Sequence, residues 1–379
     1  MTQIYLIRHA EAEGNLYRRV HGHYDSDVTE RGRRQIDMLA ERFRDSHIDA
    51  LYSSDLRRAV ATASAITRYH NLPVITTPRL REVAMGCWED MPWGEVEYAQ
   101  RELLVRFNCD PESWEVEGCE TFPQVVSRMR GVILELAEKH RGQTVAAVSH
   151  GMAIRTLLAS AMGISSKEIS KIPHADNTAV SLLNVDGENI EVVFYNDNSH
   201  LPEELSTFAR QTWWKEKDGI DRHNLRFEPM NPMEEKELYI QCYADSWRSV
   251  YGSLRGFDGE VYWKSAVRHY QENPLSLMKA MLGSELAGLV ELDTERGKEE
   301  GVGWVTLCYM VPEFRGRRLG IQLIGHAVST FRRMGRSALR LHVSEANKRA
   351  IEFYKSYGFR QIGTDEGVNC LMLLMEKEI

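Results

Sequence analysis

Short apolar runs recur through the first half of the chain, and each is followed by a longer stretch of helical period. Ile4–Ile7 reads as a buried strand and Thr29–Ser46 as a helix. A short apolar run, Ala50–Ser53, precedes a helix from Asp55 to about Tyr69, and Pro73–Thr76 is a further strand. A lid-like region containing tryptophans runs from about Val83 to Glu120, followed by a helix over Phe122–Lys139. Thr144–Ser149 is a continuous apolar run before a helix over Gly151–Met162. Val180–Val185 and Glu191–Tyr195 flank Asp186-Gly187, a hairpin turn. Such alternation predicts an α/β domain whose mostly parallel sheet has helices on both faces.

Past Leu201 the pattern changes. Thr207–His223, "TFARQTWWKEKDGIDRH", carries neither period cleanly and reads as a linker with some helix, its Trp213-Trp214 pair free to dock on either neighbour. From Leu225 a second programme begins, with helices near Met233–Tyr251 and Asp258–Tyr270, a hairpin around Gly283-Ser284, and a long strand in "GWVTLCYMV". A helix over Ile321–Met334, a strand over Ala338–Val343, a helix over Asn347–Tyr357 and a strand over Leu371–Met375 complete it. The expected organisation is a domain over 1–205, a linker over 206–223 and a domain over 224–379.

Composition narrows the function classes. The chain has 379 residues, too many for one typical core, and 43% hydrophobic with 27% charged residues is an ordinary globular balance. The net charge of -8 leaves no basic footprint for nucleic acid. No apolar stretch approaches the roughly 20 residues that span a bilayer, and the N-terminal apolar run is too short for a signal peptide. The six cysteines show neither a CxxC pair nor metal-ligand spacing, which fits a reducing cytoplasm and no metal site. A homodimer is left open.

The candidate chemistry begins where the first strand ends in Arg8-His9. Ser149-His150-Gly151 ends another strand at the start of a helix, and ligands in open α/β sheets collect at the carboxyl ends of strands. "SSDLRRAVATA" opens a helix with Arg57 and Arg58, and "LREVAMGCWE" supplies Glu82. Arginines beside a helix N-terminus suit a phosphate group. A neutral imidazole can take a phosphoryl group while cations neutralise its oxygens, and a carboxyl group can protonate the departing oxygen and later activate water.

At these residues the chain resembles the histidine phosphatase, or phosphoglycerate mutase-like, superfamily over about residues 1 to 201. Its Arg-His-Gly motif stands here as Arg8-His9-Ala10, and Gly22, Asp25, Thr29, Gly32 and Gln35 match the stretch that follows. Asp90 stands where many members have glycine. The resemblance implies a three-layer α/β/α fold and a small-molecule phosphomonoester as substrate. It makes His9 the phosphorylated nucleophile, has Arg8, Arg58 and His150 hold the phosphoryl group, and makes Glu82 the proton donor. Asn15, Arg19 and Gly151 would line the phosphate or substrate entrance. No cofactor is implied for this half. The short domain favours phosphatase over mutase, with mutase-type transfer as an alternative.

A second constellation lies in "YMVPEFRGRRLGIQLIGHAV". Gly316 and Gly320 permit a tight strand-to-helix turn with free amides, and Arg315, Arg317 and Arg318 add charge suited to a pyrophosphate. "NKRAIEFYKSYGFR" then places Asn347 and Tyr354 on one helix face. Together these resemble the Gcn5-related N-acetyltransferases, the GNAT family, over about Leu225 to Glu376, although Arg318 occupies the loop's middle glycine position. The resemblance implies an α+β fold with a mixed, mostly antiparallel sheet, acetyl-CoA as the cofactor and an amine as acceptor. Arg315, Gly316, Arg317, Arg318, Leu319, Gly320 and Asn347 would hold acetyl-CoA. A backbone N–H of Met310 or Val311 would polarise the thioester carbonyl, and Tyr354 would protonate the leaving thiolate. Glu291, Tyr309 and a water chain stay open as the general base. The leading reading is a bifunctional enzyme, and the alternative keeps this half as a non-catalytic acyl-CoA sensor.

Overall fold

The computed structural model describes residues 1–211, 213–368 and 370–379. It divides into two compact units, Met1–Arg222 and His223–Ile379. The segment read as a linker therefore lies, up to Arg222, within the first unit. Its Phe208 is buried, and Trp213 packs against His174 of the same unit.

The first unit contains β1 (Thr2–Arg8), α1 (Glu13–Tyr17), α2 (Glu30–Phe43), β2 (Ala50–Ser53), α3 (Arg57–Thr67), β3 (Val74–Thr76), α4 (Trp93–Cys109), α5 (Phe122–Lys139), β4 (Thr144–Ser149), α6 (Gly151–Ala161), β5 (Val180–Asp186) and β6 (Asn189–Asp197). Its sheet runs β3-β2-β4-β1-β5-β6. The first four strands are parallel, and the β5–β6 hairpin joins β1 antiparallel. Alternate residues of β1 feed two cores. Ile4 and Leu6 pack with Met129, Ile133 and Leu157 on one face, and Ile7 packs with Ile36, Leu39 and Ile66 on the other. Burying each such side chain contributes about 1.5–3 kcal/mol, which makes the three layers cohere. Thr29 starts α2 by accepting the Gly32 N–H at 3.0 Å. β1 and β4 lie in register, with Arg8 paired to Ser149, so their carboxyl ends meet at one edge.

The second unit contains β7 (Arg226–Pro229), α7 (Lys236–Tyr251), α8 (Gly259–Glu272), β8 (Leu277–Leu282), β9 (Glu285–Asp293), β10 (Val302–Met310), α9 (Gly320–Arg333), β11 (Ala338–Ser344), α10 (Lys348–Ser356), β12 (Arg360–Glu366) and β13 (Leu371–Glu378). The sheet order is β12-β13-β11-β10-β9-β8-β7, and β10–β11 is its parallel pair. That pairing covers only Val302–Val305 against Ala338–Leu341, although β10 runs on to Met310 and β11 to Ser344. Beyond a shift in β10 between Val305 and Leu307 the two strands part, leaving a splay lined by backbone. β12 is absent from the sequence reading because its residues are almost all exposed and carry no apolar alternation.

Candidate functional site

His9 sits just beyond β1 and is 2% exposed. Its backbone N–H donates to Ser149 O at 2.9 Å, and its carbonyl accepts from Asn177 Nδ2 at 2.9 Å. The ring nitrogen Nδ1 lies 2.7 Å from the Ala10 carbonyl, which can only accept. Nδ1 therefore carries the proton, and the lone pair is on Nε2. Burial, then the charges of Arg58 and Arg8, hold this imidazole well below the usual histidine range, so it is neutral near pH 7.

Arg58, in the first turn of α3, is wholly buried. Its guanidinium donates to the carbonyls of Tyr24 (2.9 Å), His21 (3.0 Å) and Gly22 (2.6 Å), and its Nε to His150 Nδ1 at 3.2 Å. His150 must then present Nε2–H, which lies 2.9 Å from Ser54 Oγ. Burial, then Arg58, keeps His150 neutral as well. The His9 and His150 rings are 5.0 Å apart. Arg8 donates to the Ala175 carbonyl, and its Nε is buried without a hydrogen-bond partner beside Gly151. A Cβ on Gly151 would come within 3.2 Å of that nitrogen, so glycine opens α6 where the arginine lies. An unpartnered guanidinium N–H beside a helix N-terminus is a ready anion donor.

Glu82 is held from three sides. Oε1 accepts from Val83 N (2.9 Å) and Ala153 N (2.8 Å), and Oε2 from Met152 N at 3.0 Å. Its carboxyl thus caps α6 next to His150. Four expected residues from separate segments, His9, Arg58, Glu82 and His150, converge with Arg8 on one pocket. Asn15 stands at its margin: Oδ1 accepts the Ala12 N–H at 3.1 Å and lies 3.5 Å from Asn177 Nδ2. Arg19 is differently placed from a substrate-facing cation. It is 5% exposed and ion-paired with Asp90, its Nε 2.7 Å from Oδ1. Asp90 has φ +61°, the left-handed conformation that favours glycine.

His21 escaped the sequence reading. Its ring lies 5.7 Å from that of His9, and burial, then Arg58 and Arg8, keep it neutral. Gly14 makes room for it, because a Cβ there would come within 2.3 Å of the imidazole. A histidine in a loop gives no periodic signal, and its place became visible only through α1 folding beneath it. Asp176 was missed for a similar reason: a buried carboxylate, it accepts from Ser206 Oγ (2.6 Å) and from Asn177 N (2.8 Å), the residue that holds the His9 carbonyl.

In the second unit Tyr354, from α10, is 8% exposed and hydrogen-bonds with the Cys308 thiol of β10. Burial, then the Cys308 charge, raise the tyrosine well above its usual range, so it is a protonated donor. Burial pushes Cys308 up to about 12, a packing thiol rather than a nucleophile. In the loop Arg315–Gly320 before α9, Gly316–Arg318 are exposed and Leu319 is buried, with Gly316 at φ +79° and Arg318 at φ +60°. Arg318 thus adopts the very conformation that favours glycine. Two expected roles change. Arg315 donates to Asp245 and to the Met310 carbonyl, so its guanidinium is committed to the protein itself. The Val311 N–H donates to Ala287 O at 2.9 Å and is not available to a thioester carbonyl. Asn347 caps α10, its Oδ1 accepting from Ala350 N at 3.1 Å. Arg349, unforeseen in the sequence, lies over the loop: a Cβ on Gly316 would be 3.7 Å from its guanidinium. Met310, Arg317, Leu319 and Gly320 stand where the strand, loop and helix start meet. Glu291 is buried, accepting from Tyr239 Oη at 2.8 Å and His269 Nδ1 at 2.7 Å, and Tyr309 Oη donates to Asp245 at 3.0 Å. The end of β10 left unpaired by β11, the Tyr354 hydroxyl and the amides before α9 are donors that a thioester carbonyl, a thiolate and a pyrophosphate would need.

Comparison with known proteins supports both halves. Residues 4–198 match the family model of the histidine phosphatase superfamily (branch 1), and 237–359 that of the acetyltransferase (GNAT) family. Phosphoserine phosphatase 1 of Hydrogenobacter thermophilus is 32% identical over 203 residues, covering 54% of this chain and 96% of that protein. The phosphoglycerate mutase-like protein 4 of Arabidopsis thaliana is 30% identical over 206 residues, 53% of this chain and 88% of that protein. Among solved structures, Bacillus stearothermophilus YhfR superposes with a TM-score of 0.51 at 30% identity, over 53% of this chain and 99% of its own. Among the described residues no helix is long and apolar enough to cross a membrane, and no cluster of metal-ligating side chains occurs. The chain belongs to the histidine phosphatase superfamily, branch 1, and carries a GNAT acetyltransferase-family domain after it.

Proposed function

We propose that the first unit hydrolyses small phosphomonoesters through a phosphohistidine at His9. The observation that carries this reading is the tautomer: with Nδ1–H tied to the Ala10 carbonyl, Nε2 offers a neutral lone pair inside a cage of buried cations. In the forward step Nε2 attacks phosphorus, the P–O bond to the alcohol breaks, and Glu82 delivers a proton to the departing oxygen. Arg8, Arg58 and the Nε2–H of His150 neutralise the phosphoryl oxygens as charge spreads over them. In the second step Glu82, now a carboxylate, takes a proton from water as its oxygen bonds phosphorus; the P–Nε2 bond breaks, the lone pair returns to His9 and inorganic phosphate leaves. Asn15 and Gly151 border this phosphate site, and Arg19 positions the neighbouring loop through Asp90. The similarity to a phosphoserine phosphatase, together with the compact first unit, favours hydrolysis over mutase-type transfer. Hydrolysis of p-nitrophenyl phosphate by a His9→Ala protein at the wild-type rate would refute the assignment.

The second unit is read as an acetyl-CoA-dependent transferase acting on an amine. Tyr354 supplies the proton for the coenzyme A thiolate, Met310 offers the backbone N–H for the thioester carbonyl, and the amides of Gly316–Gly320 with Arg317, Arg318 and Arg349 receive the pyrophosphate. Asn347 orients α10 beneath the splay. A sensing role without turnover has one observation behind it, the left-handed Arg318 that adds a side chain where the loop must approach phosphate. Calorimetry with acetyl-CoA, followed by an assay for free thiol over an amine library, separates the readings: binding without thiol release favours the sensor, and no binding at millimolar acetyl-CoA removes both.

A further inference from the structure

We propose that the segment after β6, through Leu205–Gln211 with Trp213 and Trp214, forms the leaving-group wall of the phosphatase pocket and selects phosphomonoesters whose alcohol carries a ring. The inference rests on the phosphohistidine reading and adds the substrate class to it. The family model ends at residue 198, so these residues lie outside what it describes.

The segment is tied to the nucleophile from both sides. Asp176 accepts from Ser206 Oγ at 2.6 Å, Thr207 N at 3.1 Å and Phe208 N at 3.4 Å. The same carboxylate receives the N–H of Asn177, whose amide nitrogen holds the His9 carbonyl. On the other side Gln35 donates to Leu205 O at 2.8 Å while its oxygen accepts the Glu11 N–H, two residues past His9, at 2.7 Å. Thr207 Oγ reaches Glu11 Oε2 at 3.4 Å. These are buried hydrogen bonds, so the chain is fixed here rather than draped over the surface.

This anchoring sets aromatic rings beside the phosphate clamp. The Phe208 ring centre is 5.9 Å from the guanidinium carbon of Arg8. Trp214 stacks on Phe208 with centroids 5.4 Å apart, and Trp213 stands edge-on to it at 5.8 Å and to His174 at 4.8 Å. His174 is uncharged near neutrality, because burial and then Arg155 and Arg8 disfavour its protonation. Lys215 stands over the Trp214 ring with its Nζ 4.9 Å from the centroid, and Arg155 is a second cation at this wall. It is spent on the carbonyls of Ile172 (2.8 Å), Ile169 (3.0 Å) and Asn108 (3.4 Å), with His174 at 3.1 Å. A phosphoryl group on Arg8 thus places its alcohol against rings and a neutral imidazole. A flat ring in that position would stack on these side chains.

The test compares 2-phenylethyl phosphate with n-propyl phosphate, alkyl esters whose departing alkoxides have similar basicity. The wild-type chain should favour the phenyl ester by about tenfold in kcat/KM, expressed in KM, the size of one aromatic contact. Trp213→Ala should bring that ratio close to one, and Trp213→Phe should preserve it. A wild-type ratio near one overturns the proposal without needing a variant. An unchanged ratio in a Trp213→Ala protein that melts as the wild type does also overturns it. His9-dependent hydrolysis with no ring preference sinks this inference alone, while hydrolysis of both esters by His9→Ala at the wild-type rate sinks the phosphohistidine reading with it.

Discussion

At the residue scale the decisive feature is protonation. His9 is buried among cations and is neutral well below pH 6.5, so protonation of the nucleophile should not limit the reaction in mildly acid solution. The kcat/KM profile for a phosphomonoester is expected to lack an acid limb near pH 6.5, and a clear inflection there would mean that His9 titrates as an exposed imidazole. His9→Ala should lower turnover on the order of a thousandfold or more, measured with p-nitrophenyl phosphate, because no neighbouring group replaces the Nε2 lone pair. Two left-handed residues give a contrasting pair. Replacing either by glycine removes a backbone penalty of about 1 kcal/mol. Asp90→Gly also removes the carboxylate of the buried Arg19–Asp90 ion pair, a larger loss than the backbone gain, so it should destabilise the first unit. Arg318→Gly, in an exposed loop, should raise the melting temperature of the second unit by about 2–4 °C and leave the backbone freer to approach a pyrophosphate.

At the scale of elements, α6 links acid catalysis to helix geometry. Glu82 takes the free N–H groups of Met152 and Ala153 in its first turn, which fixes the carboxyl beside His150. Glu82→Gln keeps the shape but supplies no acid. It should slow alkyl phosphates by about 10²–10⁴-fold while affecting p-nitrophenyl phosphate much less, since p-nitrophenolate leaves without a proton. Equal losses on both esters would show that Glu82 acts through the helix alone. Glu89 acts at a distance: it accepts from His23 N at 2.7 Å and Tyr24 N at 2.8 Å, fixing the loop whose carbonyls hold Arg58. The elements themselves were legible where one face is buried. α2, α5 and α9 follow their apolar spacing to within a few residues, whereas β12 and the segment beyond residue 205 have little such pattern, and tertiary contacts decide their course.

For the whole molecule, the two units should respond oppositely to acid. His9, His21, His150 and His174 of the first unit all have lowered pKa values, with burial as the first cause of each. Below about pH 6.5 the unfolded chain takes up protons that the folded unit refuses, so stability falls with pH by up to about 1.4 kcal/mol per unit for each histidine. In the second unit burial alone would lower His269, but its hydrogen bond and charge interaction with Glu291, with Asp293 beyond, raise it. That contribution is complete below pH 6.5 and fades as the pH rises through the higher folded value. Calorimetry at pH 7 and pH 5 should show the first unit's transition moving down more than the second's, and a larger shift in the second would contradict the assignment.

What the sequence determined by itself was the pair of folds and most of the chemistry-bearing residues. Strand and helix periods are set by local geometry; His9 and His150 stand at strand ends and Arg58 at a helix start, where the chain must turn, while Glu82 comes from a loop beyond β3. The tertiary structure decided the rest: that Arg315 turns to Asp245, that Arg19 serves Asp90, that His21 joins the histidine pocket, and that Phe208 and Trp213 belong with the first unit. Each of these depends on partners distant in sequence or on a loop without period. Burial, charge pairing and backbone hydrogen bonding assign them, and those forces act only once the chain has folded.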